Sequence, residues 1–527
     1  MIYRKIKVLL TIIIEFYKRS ILINTEEKKY LEFLNDIKDR YPLLKNNNND
    51  IILIPLIDDI GTMKVATELA YKIAHEKGLQ IKYFYVHCAI DGVVSRVNVF
   101  KYLLQQFQNF NFFWLYKLCR IYGIKPRAII ISNYFWPGFK KPDQLGFTTK
   151  KQILDIKFQN IRVGELIYDT YLRFRSKYTI ELDDICLADI IRYSEKMVDL
   201  WNRKIKSYNI KMLLVPYTAY HHWGIPAYVF LDKKINVITF GSHNYIISQL
   251  SPQHPYHSKN FHLYPQKFEN IDNTEVASKK SLAKRTLDKR LGGEIDSGTL
   301  YMRQTAFSSD YTLDFSPEKD QNWCVVFLHC FFDSPHIYGE TLFPDFYEWI
   351  IHILNRAINN ENTFFYLKEH PNALPENRQV VNLIKENFKQ YPNIVFLSAK
   401  VSNVQILQKS PKAIFTVYGT VAHEFAFKGI PVVVAGQNPQ SNYGFTHQPE
   451  SVDEFNYYLD NIGDFQLPKA YNVEDIYEFF YMNYLYYSDK YDSTNFSKNL
   501  NLDKGIINVP QEIPIDDLFF NMNVLSQ

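Results

Sequence analysis

A lysine, a histidine and a proline follow a short apolar run in the second half of the sequence. Residues 363–367 (TFFYL) have the length and composition of a buried strand, and Lys368, His370 and Pro371 come directly after it. An ammonium and an imidazole at a strand end could contact the phosphate groups of a ligand, while proline fixes the loop. We therefore predict that these three residues bind a ligand. The alternative is a histidine that serves only to hold its loop.

A second junction of this kind lies further along the chain. Residues 413–417 (AIFTV) predict a strand, Gly419 and Thr420 a tight turn, and the following segment a helix that contains Glu424. Glycine allows close approach to the backbone, threonine can cap the helix, and the free N–H groups of a first helical turn attract phosphate. The Glu424 carboxylate could accept a hydrogen bond from a ribose or sugar hydroxyl. An ordinary strand–helix corner without a ligand is the alternative.

Polar residues also follow the strand predicted at 325–329. His329, Asp333 and His336 belong to the segment HCFFDSPHIYG, at the exit of what would be the leading strand of a domain. Three such side chains could ligate a metal ion, but spacing is the sole indication of one. We therefore predict no metal. We expect these residues to contact a substrate, either the one that donates a group or another.

Carboxylates that could act as a general base occur in the first half of the chain. Glu165 and Asp169 lie in VGELIYDTYLR, where a helix would place both on one face. Removal of a proton from an acceptor hydroxyl requires such a base, so these two residues are the candidate catalytic groups. The alternative is a surface ion pair between Asp169 and Arg173. Histidines at other predicted strand ends are candidates for contact with an acceptor: His221, His222 and His243.

The elements that position these residues alternate between strand and helix in two blocks. Short apolar runs separated by helical segments fill residues 45–250 and again residues 321–469. This pattern predicts an α/β protein with two doubly wound Rossmann-type domains that face each other across a cleft. Residues 1–44 would form N-terminal helices, 251–320 an interdomain segment, and 470–527 a tail whose helix packs on the first domain.

Three motifs together resemble the bacterial capsule polysaccharide biosynthesis family. They are HPN after a strand, GTVAHE at a turn and helix start, and GIPVVVAG. The segments around Glu165 and His329 are similar to those of surface-carbohydrate biosynthesis proteins. The family includes Kdo transferases with a GT-B fold, and a more distant similarity is to bacterial sialyltransferases, whose His-Pro motif binds the CMP part of the donor. The resemblance covers most of residues 162–458.

The resemblance implies a GT-B-like glycosyltransferase. Its donor would be a nucleotide sugar, such as CMP-Kdo or another CMP-linked acidic sugar, and its acceptor a glycan or glycolipid of a bacterial surface polysaccharide such as capsule. It implies no cofactor beyond this co-substrate. Alternatives are a polyol-phosphate transferase or a sugar-nucleotide epimerase on the same fold, or a non-catalytic assembly subunit. The polyol-phosphate enzymes would carry a serine-rich turn in place of Tyr418, Gly419 and Thr420.

Composition and charge limit the class of partner and the compartment. The 527 residues are enough for two domains, and 60 basic against 56 acidic residues argue against a nucleic-acid partner. Five cysteines without a paired spacing favour a reducing compartment, so we predict a cytoplasmic protein. The apolar run at residues 8–14 is much shorter than the roughly 20 residues that span a bilayer. With its basic neighbours it predicts either a packed helix or one lying on the inner-membrane surface, alone or within a capsule assembly complex.

Overall fold

The chain divides into two compact units. A computed structural model describes residues 25–43, 49–57, 59–86, 118–133, 146–240, 247–256, 260–296, 305–307, 317, 321–370, 373–486, 489, 500–501 and 506–507. Unit 1 comprises Met1–Arg175, Glu181–His257 and Lys498–Gln527, and unit 2 comprises Ser176–Ile180 and Ser258–Ser497. Three of the predicted features lie outside the described residues: His243, Pro371 and the basic segment before residue 25.

Unit 1 contains a six-stranded sheet of order β3-β2-β1-β6-β7-β8. Neighbouring strands are parallel except β7 and β8. Its elements are α1 Thr25–Arg40, β1 Ile51–Pro55, α2 Ile60–Lys77, β2 Gln80–Val86, β3 Ile129–Asn133, α3 Lys150–Leu154, β4 Lys157–Phe158, β5 Ile161–Arg162, α4 Gly164–Arg175, α5 Ile185–Ser207, β6 Ile210–Val215, α6 His221–Asp232, β7 Asn236–Thr239 and β8 Ser248–Gln249.

Unit 2 contains a five-stranded, fully parallel sheet of order β11-β10-β9-β12-β13. Its elements are α7 Tyr264–Glu269, α8 Asn273–Leu291, β9 Asn322–Phe327, α9 Phe346–Ala357, β10 Thr363–Lys368, α10 Pro375–Phe388, β11 Ile394–Leu397, α11 Asn403–Gln408, β12 Ala413–Thr416, α12 Val421–Phe427, β13 Val432–Val434, α13 Val452–Asp460 and α14 Val473–Phe480. A π-helical turn, Tyr481–Leu485, continues α14, and two short strands, β14 Leu500–Asn501 and β15 Ile506–Ile507, follow in unit 1.

Each face of the unit 2 sheet has its own hydrophobic core. Trp323, Val325 and Phe327 of β9 point into one core, while Cys324 and Val326 point into the other. Alternation of this kind is what a strand buried on both faces requires, because successive side chains point to opposite sides. The predicted α/β class, GT-B-like in having two doubly wound Rossmann-type sheets, is confirmed. The cleft between them stays a prediction.

The C-terminal helix α14 packs on its own unit. It lies against α8, with Lys280 and Glu474 paired at 3.3 Å, and Ile476, Phe479 and Phe480 enter the core of unit 2. The prediction that this helix packs on the first domain is therefore wrong, because its apolar face is buried beside α8. None of the helices in the described ranges is long and apolar enough to cross a bilayer.

Both sheets have a topological switch point, where successive strands are added on opposite sides of the first one. In unit 1 it lies between β1 and β6, and in unit 2 between β9 and β12. In open α/β sheets, ligands bind outside the carboxyl ends of the strands at such points. The loops that leave these strands are therefore where the candidate residues must be compared.

Candidate functional site

His329 joins the two strand ends at the switch point of unit 2. It follows β9, and its Nε2 accepts a hydrogen bond from the backbone N–H of Val417 at 3.1 Å and lies 3.0 Å from Oγ1 of Thr416. Nε2 therefore carries no proton, and the neutral ring is protonated at Nδ1. The ring stacks on Phe346 at 4.6 Å. Burial lowers the pKa of His329 to about 3, with a further contribution from nearby His370.

The turn after β12 is held by these same atoms. The N–H of Gly419 donates to Oγ1 of Thr416 at 3.3 Å, and the hydroxyl of Tyr418 donates to the carbonyl of Ser334 at 3.1 Å. A Cβ on Gly419 would lie 2.9 Å from that Oγ1 and 3.2 Å from Val421. Glycine is needed here because the backbone passes so close to its neighbours.

Thr420 precedes α12, but its side chain makes no capping hydrogen bond. It forms a hydrogen bond with the carboxylate of Glu424 instead. That carboxylate is only 3% exposed, and its Oε1 lies 3.8 Å from Nη1 of Arg290. Burial raises the pKa of Glu424 to about 7, against the opposing charge of Arg290. Glu424 is thus an interior residue directly behind the turn, and the predicted capping by the Thr420 side chain is wrong.

Lys368 ends β10 with its ammonium turned into the protein. Its Nζ donates to the carbonyls of Ala399 at 3.0 Å and Glu369 at 3.3 Å. Burial lowers the pKa of Lys368 to about 8. As placed, this ammonium ties the end of β10 to the loop after β11.

His370 stands at the same strand end with an exposed ring. The surrounding protein excludes water from part of the ring and so lowers the pKa of His370. The positive charge of Lys368 lowers this pKa further. Lys368 pairs with Phe327 of β9, and His370 and His329 each lie two residues further on, so His370 is beside the switch point. The structure thus brings His329, His370 and the Gly419 turn together at one edge, where His370 is the member open to solvent.

Asp333 and His336 lie in the loop that leaves β9. Asp333 is exposed and accepts a hydrogen bond from the N–H of Ser334 at 3.0 Å, while His336 is buried. The two therefore do not share one environment. Within the described ranges, no three His, Cys, Asp or Glu side chains converge as a metal-binding set.

In unit 1, Glu165 and Asp169 are both buried on α4. Oε1 of Glu165 lies 2.6 Å from Nη2 of Arg162. Burial raises the pKa of Tyr228 on α6, and the charges of both carboxylates raise it further, which places all three groups close together. Because Asp169 is buried, a surface ion pair with the exposed Arg173 is the wrong description of it.

The histidine pair at the start of α6 is also buried. The N–H of His221 donates to Oγ1 of Thr170 at 2.9 Å, which attaches α6 to α4. Burial lowers the pKa of His222 to about 3 and holds the pKa of His221 well below its usual range, where His222 contributes as well. Both rings are neutral near pH 7, so neither offers a positive charge to a ligand.

Two residues of these regions gave no recognisable signal in the sequence. Arg290 ends a basic run, KKSLAKRTLDKR, that is typical of a solvated helix, yet it is buried, doubly hydrogen-bonded to Asp296 and lies 4.2 Å from the ring centre of Tyr484. Tyr220, before α6, has φ of 67° and ψ of 155°. Local patterns reveal neither a distant partner nor a strained backbone.

Comparisons with known proteins give similarity in structure alone. No family model and no curated protein matches the sequence. The chain is similar to a β-Kdo 2,4-transferase, KpsC of Thermosulfurimonas dismutans, with 10% identity over 51% of this chain and 79% of that one and a TM-score of 0.33. It is also similar to a glycosyltransferase of Rickettsia africae, with 10% identity over 83% and 94% of the two chains and a TM-score of 0.25. A UDP-GlcNAc 2-epimerase of Neisseria meningitidis has 10% identity over 82% and 97% and a TM-score of 0.23.

Proposed function

We propose that this protein is a glycosyltransferase that moves a sugar from a nucleotide donor to a glycan or glycolipid of the bacterial surface. The observation that carries the proposal is the convergence of His329, His370 and the Gly419 turn at the switch point of unit 2. Ligands of doubly wound sheets bind at such points. His370 of the HPN motif and the start of the GTVAHE motif, both of which resemble the capsule polysaccharide family, lie at this same edge.

In this proposal the donor nucleotide lies against the turn at Gly419 and Thr420. His370 is the group that reaches it, and because its pKa is lowered, it acts as a neutral hydrogen-bond donor rather than a fixed cation. Glu424 and Lys368 act behind the surface, where the first holds the Thr420 hydroxyl and the second fixes the end of β10. A CMP-linked acidic sugar such as CMP-Kdo is the donor we propose first.

The general base in this proposal belongs to unit 1. Transfer to a hydroxyl forms a bond from that oxygen to the anomeric carbon, breaks the bond to the nucleotide phosphate and releases a proton to a base. Glu165 and Asp169, which are both buried on α4, are the candidates. None of the four described cysteines is in a disulfide, which supports a cytoplasmic site of reaction, at the inner-membrane face where the acceptor would be assembled.

Nucleotide binding and turnover test the proposal separately. The full chain is titrated with CMP, CDP, UDP and GDP by calorimetry, and we expect binding of one of them, CMP first. Incubation with CMP-Kdo, other nucleotide sugars or a CDP-linked polyol, each with bacterial glycan acceptors, is then followed by liquid chromatography, which separates epimers, and mass spectrometry. A product heavier by one sugar supports transfer, whereas a gain of polyol phosphate or epimerised donor identifies the alternatives. Absence of binding to all four nucleotides would overturn the proposal.

A further inference from the structure

Five aromatic rings gather where β6 ends at the switch point of unit 1. We call them the Tyr220 cluster: Phe174, Tyr217, Tyr220, His222 and Trp223. The Tyr217 ring lies 4.5 Å from that of Trp223 at 71°, and Phe174 lies 5.4 Å from Tyr220 at 75°. Tyr220 and His222 are nearly parallel, with ring centres 6.1 Å apart. All members except His222 are partly exposed.

Tyr220 is held in a backbone conformation that favours glycine. Its φ of 67° and ψ of 155° are unusual for a residue with a side chain, and it makes no side-chain cap for α6. The next residue is fixed by the bond from the His221 N–H to Thr170, so the surrounding structure maintains the strain. Strained residues of this kind are concentrated at functional sites. The strained backbone places an aromatic ring at this position. Glycine would suit the conformation better but has no ring.

The chemistry around the cluster favours an uncharged ligand. His221 and His222 are neutral near pH 7 because burial lowers the pKa of each, and Arg175 is already paired with Asp184 at 3.3 Å. Nδ1 of His222 is buried and has no hydrogen-bond partner in the described part of the chain. That nitrogen has almost no accessible surface, so the His222 ring gives the cluster an uncharged, apolar wall.

We infer that the Tyr220 cluster is a stacking site for a neutral sugar ring of the acceptor glycan. The inference rests on the proposed glycosyltransferase function and assigns a location to the acceptor. A pyranose ring has an apolar C–H face that packs on aromatic rings such as the partly exposed ones of the cluster. A phosphate or a carboxylate would find no free positive charge among these residues.

Glycan binding by the full chain tests this inference. The protein is applied to an array of neutral and acidic bacterial surface oligosaccharides, and dissociation constants are then measured for those that bind. We expect wild type to bind at least one neutral oligosaccharide, and Tyr220→Ala and Trp223→Ala each to weaken it about tenfold or more. Tyr220→Phe keeps the ring and should stay within about threefold of wild type. Tyr208→Ala, a matched exposed tyrosine that precedes β6, should bind like wild type.

Nucleotide binding is measured on the same samples, so that the two proposals fail separately. Loss of glycan binding with unchanged nucleotide affinity supports the inference. Absence of neutral glycan binding in wild type, or normal binding in both alanine variants, would overturn it. Loss of nucleotide affinity in those variants would show a base-stacking site and also overturn it. Thermal unfolding verifies that the variants fold, and Tyr220→Gly should melt at a higher temperature than Tyr220→Ala because glycine relieves the strain.

Discussion

His370 differs from the buried histidines of the protein because its ring reaches solvent beside three strand ends. We expect His370→Ala to weaken nucleotide binding about tenfold to a hundredfold, since a hydrogen bond to a charged group contributes about 1.5–3 kcal/mol. Its lowered pKa keeps the ring neutral, so the loss of affinity caused by His370→Ala should be the same at pH 7 and at pH 8. Isothermal titration calorimetry at both pH values measures this.

His352→Ala is the matched control for that experiment. His352 belongs to the same unit, is partly buried on α9, and its Nε2 lies 2.6 Å from Oδ1 of Asn456. It has no place in the proposed site, so nucleotide affinity should remain at the wild-type value. Equal losses in both variants would mean that His370 acts through general stability rather than contact.

The buried carboxyl of Glu424 gives a second prediction at the scale of a residue. Its folded pKa of about 7 lies above the ordinary value of 4.5, so the folded state holds the proton more tightly than the unfolded chain. This stabilising contribution is fully present below about pH 4.5 and is lost as pH rises through 7. Glu424→Gln should therefore gain stability relative to wild type from pH 5 to pH 8, by about 2.5 kcal/mol.

Urea unfolding of wild type and Glu424→Gln at the two pH values measures that difference. Asp453→Asn, an exposed carboxylate in the first turn of α13, is the control and should show almost no pH-dependent difference from wild type. If Glu424→Gln instead loses stability as pH rises, the carboxylate is charged in the folded protein and its ion pair with Arg290 dominates.

At the scale of elements, α14 is a structural part of unit 2. Phe480 is fully buried, and the Arg290 guanidinium lies 4.6 Å from its ring centre. We expect Phe480→Ala to lower the free energy of unfolding by about 3–5 kcal/mol, because it leaves a cavity and exposes the arginine. Tyr457→Ala, an aromatic residue that is 56% exposed on α13, should change it by less than about 0.5 kcal/mol. Chemical denaturation measures both, and a small loss for Phe480→Ala would contradict this role of α14.

Elements with strong local patterns were predictable from the sequence. The apolar runs that become β10 and β12 end at the turn residues that bound them. Burial of single polar residues was not predictable, because it depends on distant partners. Lys368 is held by Ala399, and Glu424 by Arg290, and neither partner is near in sequence.

At the scale of the whole molecule, each unit has its own sheet and core, and we expect two transitions in scanning calorimetry of the full chain. A nucleotide at a hundredfold excess over its dissociation constant should stabilise the unit 2 transition by about 2.7 kcal/mol. Phe480→Ala should lower that transition. Gly224→Ala should lower the other, because the new Cβ would lie 2.3 Å from the carbonyl oxygen of Thr218. If a nucleotide instead raises the transition that Gly224→Ala lowers, the nucleotide binds unit 1, and the proposed donor site in unit 2 is contradicted.

The shared strand order of the two sheets has an evolutionary consequence. Both begin with the order 3-2-1-4-5, so the loop between β6 and α6 occupies the same topological position as the loop between β12 and α12. A duplication of one ancestral half would make these loops descendants of a single segment. The four-residue loop of unit 2 would then have kept a tight turn at Gly419, and the five-residue loop of unit 1 would have come to end in Tyr220 with its distorted backbone. Divergence of one inherited loop would thus separate the proposed nucleotide site from the proposed sugar site.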